Sequence, residues 1–163
     1  MSDQKEYLPL VNEEDVLPIL NEISIFGGLP DKKLYDIFKL LRKVYYKAGE
    51  YIFKEGDEPS HIYIVRYGKV KIVADTPDGP YEMVEFGLGH CFGETSVIGI
   101  QPHSANAIAV EDTELIVLSR DVLLSIYDSD KDLFAILILN IAREACRRLH
   151  QTDETLLHYF QKK

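Results

Sequence analysis

The first part of the chain places apolar residues at helical spacing. They recur three or four positions apart, at Val16, Leu20, Ile23, Leu34, Ile37, Phe38 and Leu41. This spacing predicts two amphipathic helices. Between them lies Phe26-Gly27-Gly28-Leu29-Pro30-Asp31, in which the glycines permit a sharp reversal and Asp31 is predicted to cap the second helix. A helical pair is therefore expected at the start of the domain.

After Lys43 the hydrophobic period changes to two. Short runs rich in β-branched and aromatic residues follow at 51–53, 61–65, 70–74, 81–86, 105–110 and 114–118. Turn residues separate these runs, as in Gly56-Asp57 and Pro77-Asp78-Gly79-Pro80. Short strands with such frequent turns are typical of a β-sandwich or a closed roll.

Helical spacing returns from about Asp130. Two adjacent apolar stripes run along this predicted helix, one formed by Leu133, Leu137, Ile141, Ala145 and Leu149 and the other by Phe134, Ile138, Ala142 and Cys146. Together they are wider than the apolar face of a helix that lies on a single surface. We therefore expect the helix to pack on the roll and also on a partner, such as a second copy of the chain. A helix buried within one chain is the alternative.

The composition narrows the range of partners. The hydrophobic fraction of 46% and the charged fraction of 28% are typical of a globular protein. The formal net charge of −9 argues against DNA or an anionic membrane as a partner. The acidic start of the chain is predicted to be a solvated helix or arm. It lacks the basic region of a secretory signal. No apolar stretch approaches the roughly 18 to 20 residues that cross a bilayer. We expect a cytoplasmic protein.

The familiar signatures of metal sites and enzymes are missing from the sequence. The histidines show no H-x-H or H-E-x-x-H spacing, and Cys91 and Cys146 are too far apart for a C-x-x-C pair, so neither a metal site nor a disulfide framework is predicted. The sequence also lacks G-x-S-x-G, P-loop and dinucleotide-binding motifs. We therefore predict a regulatory module, with no catalytic residues.

One loop does carry specific chemistry. In Phe92-Gly93-Glu94-Thr95-Ser96-Val97-Ile98 a glycine precedes a carboxylate and two hydroxyl residues, and a short apolar run follows. This order suits the beginning of a helix, where unpaired backbone N–H groups and the helix dipole favour a phosphate. Gly93 permits a close approach of the backbone to a ligand.

From roughly Ile25 to Leu149 the chain resembles the cyclic nucleotide-binding domain family. Residues 48–57 match the family signature A-G-E-x-I-F-x-E-G-D, and Phe92-Gly93-Glu94 with Pro102-His103-Ser104-Ala105 resemble the two halves of its phosphate-binding cassette. The resemblance implies an α+β fold: an antiparallel β-roll, or double-stranded jelly-roll-like barrel, flanked by an N-terminal helical pair and a long C-terminal helix. We expect one domain over 1–163, with N-terminal helices in 1–43, the roll in 44–120 and C-terminal helices in 121–163.

The resemblance also implies a ligand site for cAMP or cGMP. Its predicted residues are Gly93, Glu94, Thr95, Ser96, His103, Ser104 and Ala105. In the family the glutamate binds the ribose 2′-hydroxyl, which assigns that role to Glu94, and Ser104 is expected to donate to the phosphate. A helix-capping role for Glu94 is the alternative.

His103 stands where the family has the arginine that pairs with the cyclic phosphate. The segment 87–109 contains neither Lys nor Arg, and His lacks the permanent charge and bidentate fork of Arg. Losing a charge-assisted hydrogen bond weakens binding by about 10-fold to 150-fold. A phosphate beside the imidazole would raise the pKa of His103 and recover part of this loss. A histidine in a pocket that no longer holds a ligand is the alternative.

The tail adds a predicted lid. In the family a residue of the C-terminal helix often covers the base, which assigns that role to Tyr159 or Phe160, whereas packing on a dimer partner or on the roll is the alternative. We expect a stand-alone regulatory protein that senses cAMP or cGMP, forms a homodimer through this helix and signals to a partner protein. Residues 132–163 are enough for this helix and little more, so we do not expect a DNA-reading head. A degenerate scaffold for protein–protein contacts is the competing hypothesis.

Overall fold

The computed structural model describes residues 5–11 and 13–161. Its N-terminal helical pair consists of α1 (Glu13–Leu20) and α2 (Asp31–Phe38), joined through a short 3-10 helix at Ser24–Phe26. The expected role of Asp31 was wrong in detail. Pro30 occupies the N-cap position without a side-chain hydrogen bond, and Asp31 lies in the first turn, where its negative charge favours the helix dipole.

The strands form two antiparallel sheets that face each other. They are β1 (Leu8–Pro9), β2 (Arg42–Tyr46), β3 (Tyr51–Phe53), β4 (His61–Tyr67), β5 (Val70–Thr76), β6 (Gly79–Phe86), β7 (Cys91–Phe92), β8 (Asn106–Ala109) and β9 (Thr113–Ser119). One sheet has the order β1-β2-β9-β4-β7 and the other the order β3-β8-β5-β6. The predicted antiparallel roll is confirmed, although the sheets do not close into a barrel.

The central strands β4 and β9 bury both of their faces. In β9, Leu115 and Val117 point into the roll, whereas Ile116 and Leu118 contact the helices. Side chains alternate across a strand, so a strand with a core on each side needs apolar residues at every position. This explains the continuous apolar run in β9, and β4 follows the same rule.

The N-terminal segment differs from the expected solvated arm or helix. Leu8 and Pro9 pair with Lys43 and Arg42 at the edge of the larger sheet, and Leu10 is buried in the helical core. The roll therefore begins earlier in the chain than residue 44, because β1 and part of β2 lie within 1–43.

The C-terminal part forms α4 (Arg120–Ser129) and α5 (Lys131–Gln161). Ser119 caps α4 by accepting a hydrogen bond from the Val122 N–H at 3.1 Å. Asn140 ties α5 to the N-terminal helices by donating to the carbonyl oxygens of Ile25 at 3.1 Å and Gly27 at 2.8 Å. This contact fixes the direction in which α5 crosses the roll.

Only part of the apolar surface of α5 is buried. Leu133, Leu137 and Ile141 pack into the helical core, whereas Ala142 and Cys146 of the second stripe are exposed. From Leu149 to Gln161 every residue is exposed. The roll therefore leaves part of the apolar surface of α5 uncovered, and the packing of this helix on a partner stays a prediction.

Candidate functional site

The loop that follows β7 positions the cassette. Gly93 has a φ of 79°, in the left-handed region that glycine adopts without strain. A Cβ atom there would lie 3.2 Å from both the His61 carbonyl oxygen and the Tyr63 ring. Glycine is therefore required at this turn, and the next residue, Glu94, begins the short helix α3 (Glu94–Gly99) inside the roll.

The cassette borders a cavity of about 200 Å³. Its lining includes all seven predicted site residues, Gly93, Glu94, Thr95, Ser96, His103, Ser104 and Ala105. The same lining includes an apolar wall formed by Phe53, Ile72, Val84, Phe86 and Phe92. A mostly apolar wall facing a few convergent polar groups is typical of a small-molecule site.

Glu94 is fully buried and only half satisfied. Its Oε1 accepts a hydrogen bond from Arg148 Nη1 at 2.6 Å, and its Oε2 has no partner among the described residues. Burial raises the pKa of Glu94, and the Arg148 charge opposes this rise. The sequence suggested a ligand or backbone N–H groups as partners for this carboxylate; the structure adds an arginine from α5, and the backbone N–H of Glu94 also opposes the rise in its pKa.

Arg148 joins α5 to the cassette. Its Nη2 donates to the Cys91 carbonyl oxygen and lies 3.4 Å from Glu144 Oε1. Its guanidinium carbon lies 4.6 Å from the centroid of the Phe86 ring, a cation–π geometry. Among the described residues that line the cavity, Arg148 is the one Lys or Arg.

His103 is buried against an aromatic ring. Its imidazole stacks on Phe53 with a centroid separation of 3.6 Å, and its backbone N–H donates to the Asp57 carbonyl oxygen at 2.9 Å. Burial lowers the pKa of His103, and Asp57 opposes this shift. The shift runs opposite to the rise that a neighbouring phosphate would cause, so His103 adds no positive charge to the cavity near pH 7.

The predicted lid residues lie away from the cavity. Tyr159 and Phe160 are 58% and 68% exposed, and neither belongs to the cavity lining. A groove of about 600 Å³ separates β6 from α5, and it shares Val84, Phe86 and Arg148 with the cavity. The α5 residue that reaches the cassette is Arg148.

The described residues hold no cluster of three or more side chains suited to a metal ion, and none of their helices is long and apolar enough to cross a membrane. The pattern of the cyclic nucleotide-binding domain matches residues 43–130. The chain belongs to the cyclic nucleotide-binding domain family. Domains of this family are regulatory binding modules.

Named relatives agree with this assignment. cGMP-dependent protein kinase 2 of Mus musculus is 36% identical over 112 residues, which cover 67% of this chain and 15% of the kinase. The CRP-like cAMP-activated global transcriptional regulator of Mycobacterium tuberculosis is 29% identical over 139 residues, which cover 85% of this chain and 60% of the regulator. The chain thus spans less than two thirds of either protein.

A solved structure shares the fold. A cyclic nucleotide-binding domain from Methylobacillus flagellatus superimposes with a TM-score of 0.83 at 23% identity, over 95% of this chain and 89% of that one. The agreement extends over nearly all of the chain, so it includes the flanking helices as well as the roll.

Sequence reasoning missed Arg148 and Glu144. Both continue the face of α5 that carries the buried Leu137 and Ile141, at a spacing of seven residues, and Glu144 is itself buried. One signal was available. Because 87–109 contains neither Lys nor Arg, a buried Glu94 requires a cation from elsewhere in the chain.

The lowered pKa values of His61 and His103 predict a loss of stability in mild acid. As the pH falls through about 6.5, the unfolded chain takes up protons that the folded protein does not bind. We expect the Tm to fall between about pH 7.5 and about pH 5.5, and His103→Phe, which keeps the stack on Phe53, to reduce this fall. Thermal unfolding followed by circular dichroism measures both.

The His103→Phe variant separates the contribution of His103 to the pH dependence from that of Glu94, whose pKa is shifted in the opposite direction. His150→Gln is the control, since the His150 side chain is 76% exposed, and it should follow the wild-type pH dependence. An identical fall in the wild type and in His103→Phe would show that His103 is not held neutral by the fold.

Proposed function

We propose that this protein binds a cyclic nucleotide, cAMP or cGMP, in the cavity beside the cassette and reports its occupancy through α5. The observation that carries the proposal is the unpartnered Oε2 of Glu94. A buried carboxylate oxygen without a hydrogen bond is unfavourable by about 1 to 3 kcal/mol or more. A ligand hydroxyl that donates to this oxygen removes the penalty.

The ribose 2′-hydroxyl suits this oxygen. Glu94 lies in the lining of the cavity, together with Val84 and Phe86. A sugar held there brings a hydroxyl donor to Oε2 of Glu94. The base of the same ligand then contacts Phe86 or Val84. Ser104 and the hydroxyl residues of α3 supply further donors. The ligand class therefore combines a sugar hydroxyl, a flat apolar group and a small anion.

The ion pair between Glu94 and Arg148 supports coupling to α5. A ligand changes the position of a helix only if its affinity differs between the two positions. Because Arg148 contacts the carboxylate that receives the ligand, any rearrangement of that carboxylate changes the energy of the helix contact. The output is a changed surface on α5 that is offered to a partner protein.

A second copy of this chain is the partner that α5 fits best. Exposed residues form a stripe with spacings of three and four along the helix: Leu139, Ala142, Cys146, Leu149, Asp153, Leu156 and Phe160. This is the spacing of a coiled-coil seam. Arg148 and Gln151 lie on the other side of the helix, so a homodimer through this stripe leaves the contact with the cassette intact.

A scaffold that binds no nucleotide is the competing function. It is favoured by the neutral His103 and by the Glu94–Arg148 pair, which gives the cassette a bonded partner without any ligand. In that case α5 and its exposed stripe make all the functional contacts. Direct binding measurements separate the two functions.

We predict that isothermal titration calorimetry detects cAMP or cGMP binding and that Glu94→Gln weakens it by about tenfold or more. Removing the 2′-hydroxyl from the nucleotide should weaken binding to the wild type by a similar factor. It should have little further effect on Glu94→Gln, because both changes remove the same contact.

Glu111→Gln is the control, since Glu111 is exposed and distant from the cassette in the chain. It should bind like the wild type. If the wild type gives neither heat nor a thermal shift with cAMP or cGMP, the scaffold function is correct and the sensor function is wrong.

The stripe predicts a dimer that packs through α5, and a parallel arrangement of the two helices would place Cys146 beside its copy. We expect size-exclusion chromatography with light scattering to show a dimer, and Leu149→Glu to convert it to a monomer by placing a charge in the seam. Mild oxidation should cross-link the dimer through the exposed Cys146. Gln151→Glu, outside the stripe, should leave the dimer intact; a monomeric wild type contradicts the assembly.

A further inference from the structure

The cassette loop offers no positive charge to an anion. Residues 87–109 contain neither Lys nor Arg. His103 is 4% exposed and stacked on Phe53, and the charge that acts on its imidazole is the negative one of Asp57. A cyclic phosphate held by this loop alone would rest on neutral donors.

Arg148 brings a permanent positive charge to the same cavity from a different element. Arg148 belongs to the cavity lining together with Ser96, His103 and Ser104, and its side chain is 23% exposed. Arginine has five N–H donors in a planar fork. The contacts to Glu94 and to the Cys91 carbonyl oxygen leave donors available for a second anion.

We propose that Arg148 of α5, in place of a cassette residue, pairs with the phosphate of the bound nucleotide. The inference rests on the function proposed above and adds the residue that neutralises the ligand. With this role for Arg148 the nucleotide site is incomplete without α5, because the ribose acceptor, Glu94, belongs to the roll and the phosphate partner belongs to α5.

The local charges allow this exchange. Arg148 is shared by two buried carboxylates, Glu94 and Glu144. Glu144 is also paired with Arg147, so it keeps a partner when Arg148 turns to a phosphate. Glu94 in turn receives the ribose hydroxyl. The transfer therefore leaves no buried carboxylate without a partner.

The cavity sizes agree with a movable Arg148. Ligand sites usually enclose about 300 to 1,000 Å³, whereas the cavity beside the cassette encloses about 200 Å³. The groove of about 600 Å³ on the other side of Arg148 shares three lining residues with it. A shift of this side chain towards a phosphate joins the two spaces into one site that is large enough for a nucleotide.

The opposite role for Arg148 is a plug that competes with the ligand for Glu94. The two roles predict opposite changes in affinity. If Arg148 pairs with the phosphate, its removal weakens the binding of cyclic nucleotides and has little effect on the corresponding nucleoside, which has no phosphate. If Arg148 is a plug, its removal strengthens the binding of both.

The test is calorimetry on the full chain with cAMP, cGMP, adenosine and guanosine. We expect Arg148→Gln to weaken cyclic nucleotide binding by about tenfold or more. Arg148→Lys, which keeps the charge but loses the fork, should retain the fold and give a smaller loss. Arg143→Gln is the matched control: Arg143 is an exposed arginine of the same helix, it lines neither the cavity nor the groove, and the variant should bind like the wild type.

A relocation variant completes the test. In Arg148→Gln combined with His103→Arg, the cation returns to the cassette, so cyclic nucleotide affinity should recover. Hydrogen exchange in α5 should then no longer respond to ligand, since the helix has lost its contact with the phosphate.

Unchanged or tighter cyclic nucleotide binding in Arg148→Gln, with a wild type that binds, overturns the role of Arg148 and leaves the proposed function standing. A wild type that gives neither heat nor a thermal shift with cAMP or cGMP overturns the proposed function itself.

Discussion

The site depends on how one buried carboxylate is satisfied. Glu94 is held inside the roll by a glycine turn that admits no side chain, and desolvation raises its pKa. A buried charge of this kind needs a partner, and Arg148 reaches across from α5 to provide one. The link between roll and helix thus follows from the cost of burying Glu94. One oxygen of the carboxylate has no hydrogen-bond partner among the described residues, and the proposed function assigns this oxygen to the ligand.

The rest of the fold positions these two residues. The larger sheet has one core inside the roll and a second under the helices, so β4, β7 and β9 are fixed on both faces. β7 leads directly into Gly93. On the other side, Asn140 binds two carbonyl oxygens of the segment between α1 and α2, which sets the direction of α5 and delivers Arg148 to the cassette. Both elements therefore rest on the helical core, and the contact between Glu94 and Arg148 joins the cassette to α5.

Much of this arrangement could be predicted from local pattern. The helical spacing, the apolar runs of β4 and β9, and the cassette residues that line the cavity all depend on short-range chemistry. Two features could not be predicted in this way. β1 and β7 are too short for a period to be visible, and Leu8 is apolar in a segment whose charge suggested a solvated arm. Arg148 contacts Glu94 across 54 positions of sequence, and at a polar helical position it is indistinguishable from a solvated charge until the helix is placed on the roll.

The most direct test of this account is a crystal structure of the protein with a bound cyclic nucleotide. The account predicts the ribose 2′-hydroxyl within hydrogen-bonding distance of Glu94 Oε2 and the guanidinium of Arg148 against the phosphate. A nucleotide bound outside the cassette, or an Arg148 side chain that points to solvent while the phosphate rests on the loop alone, would contradict it.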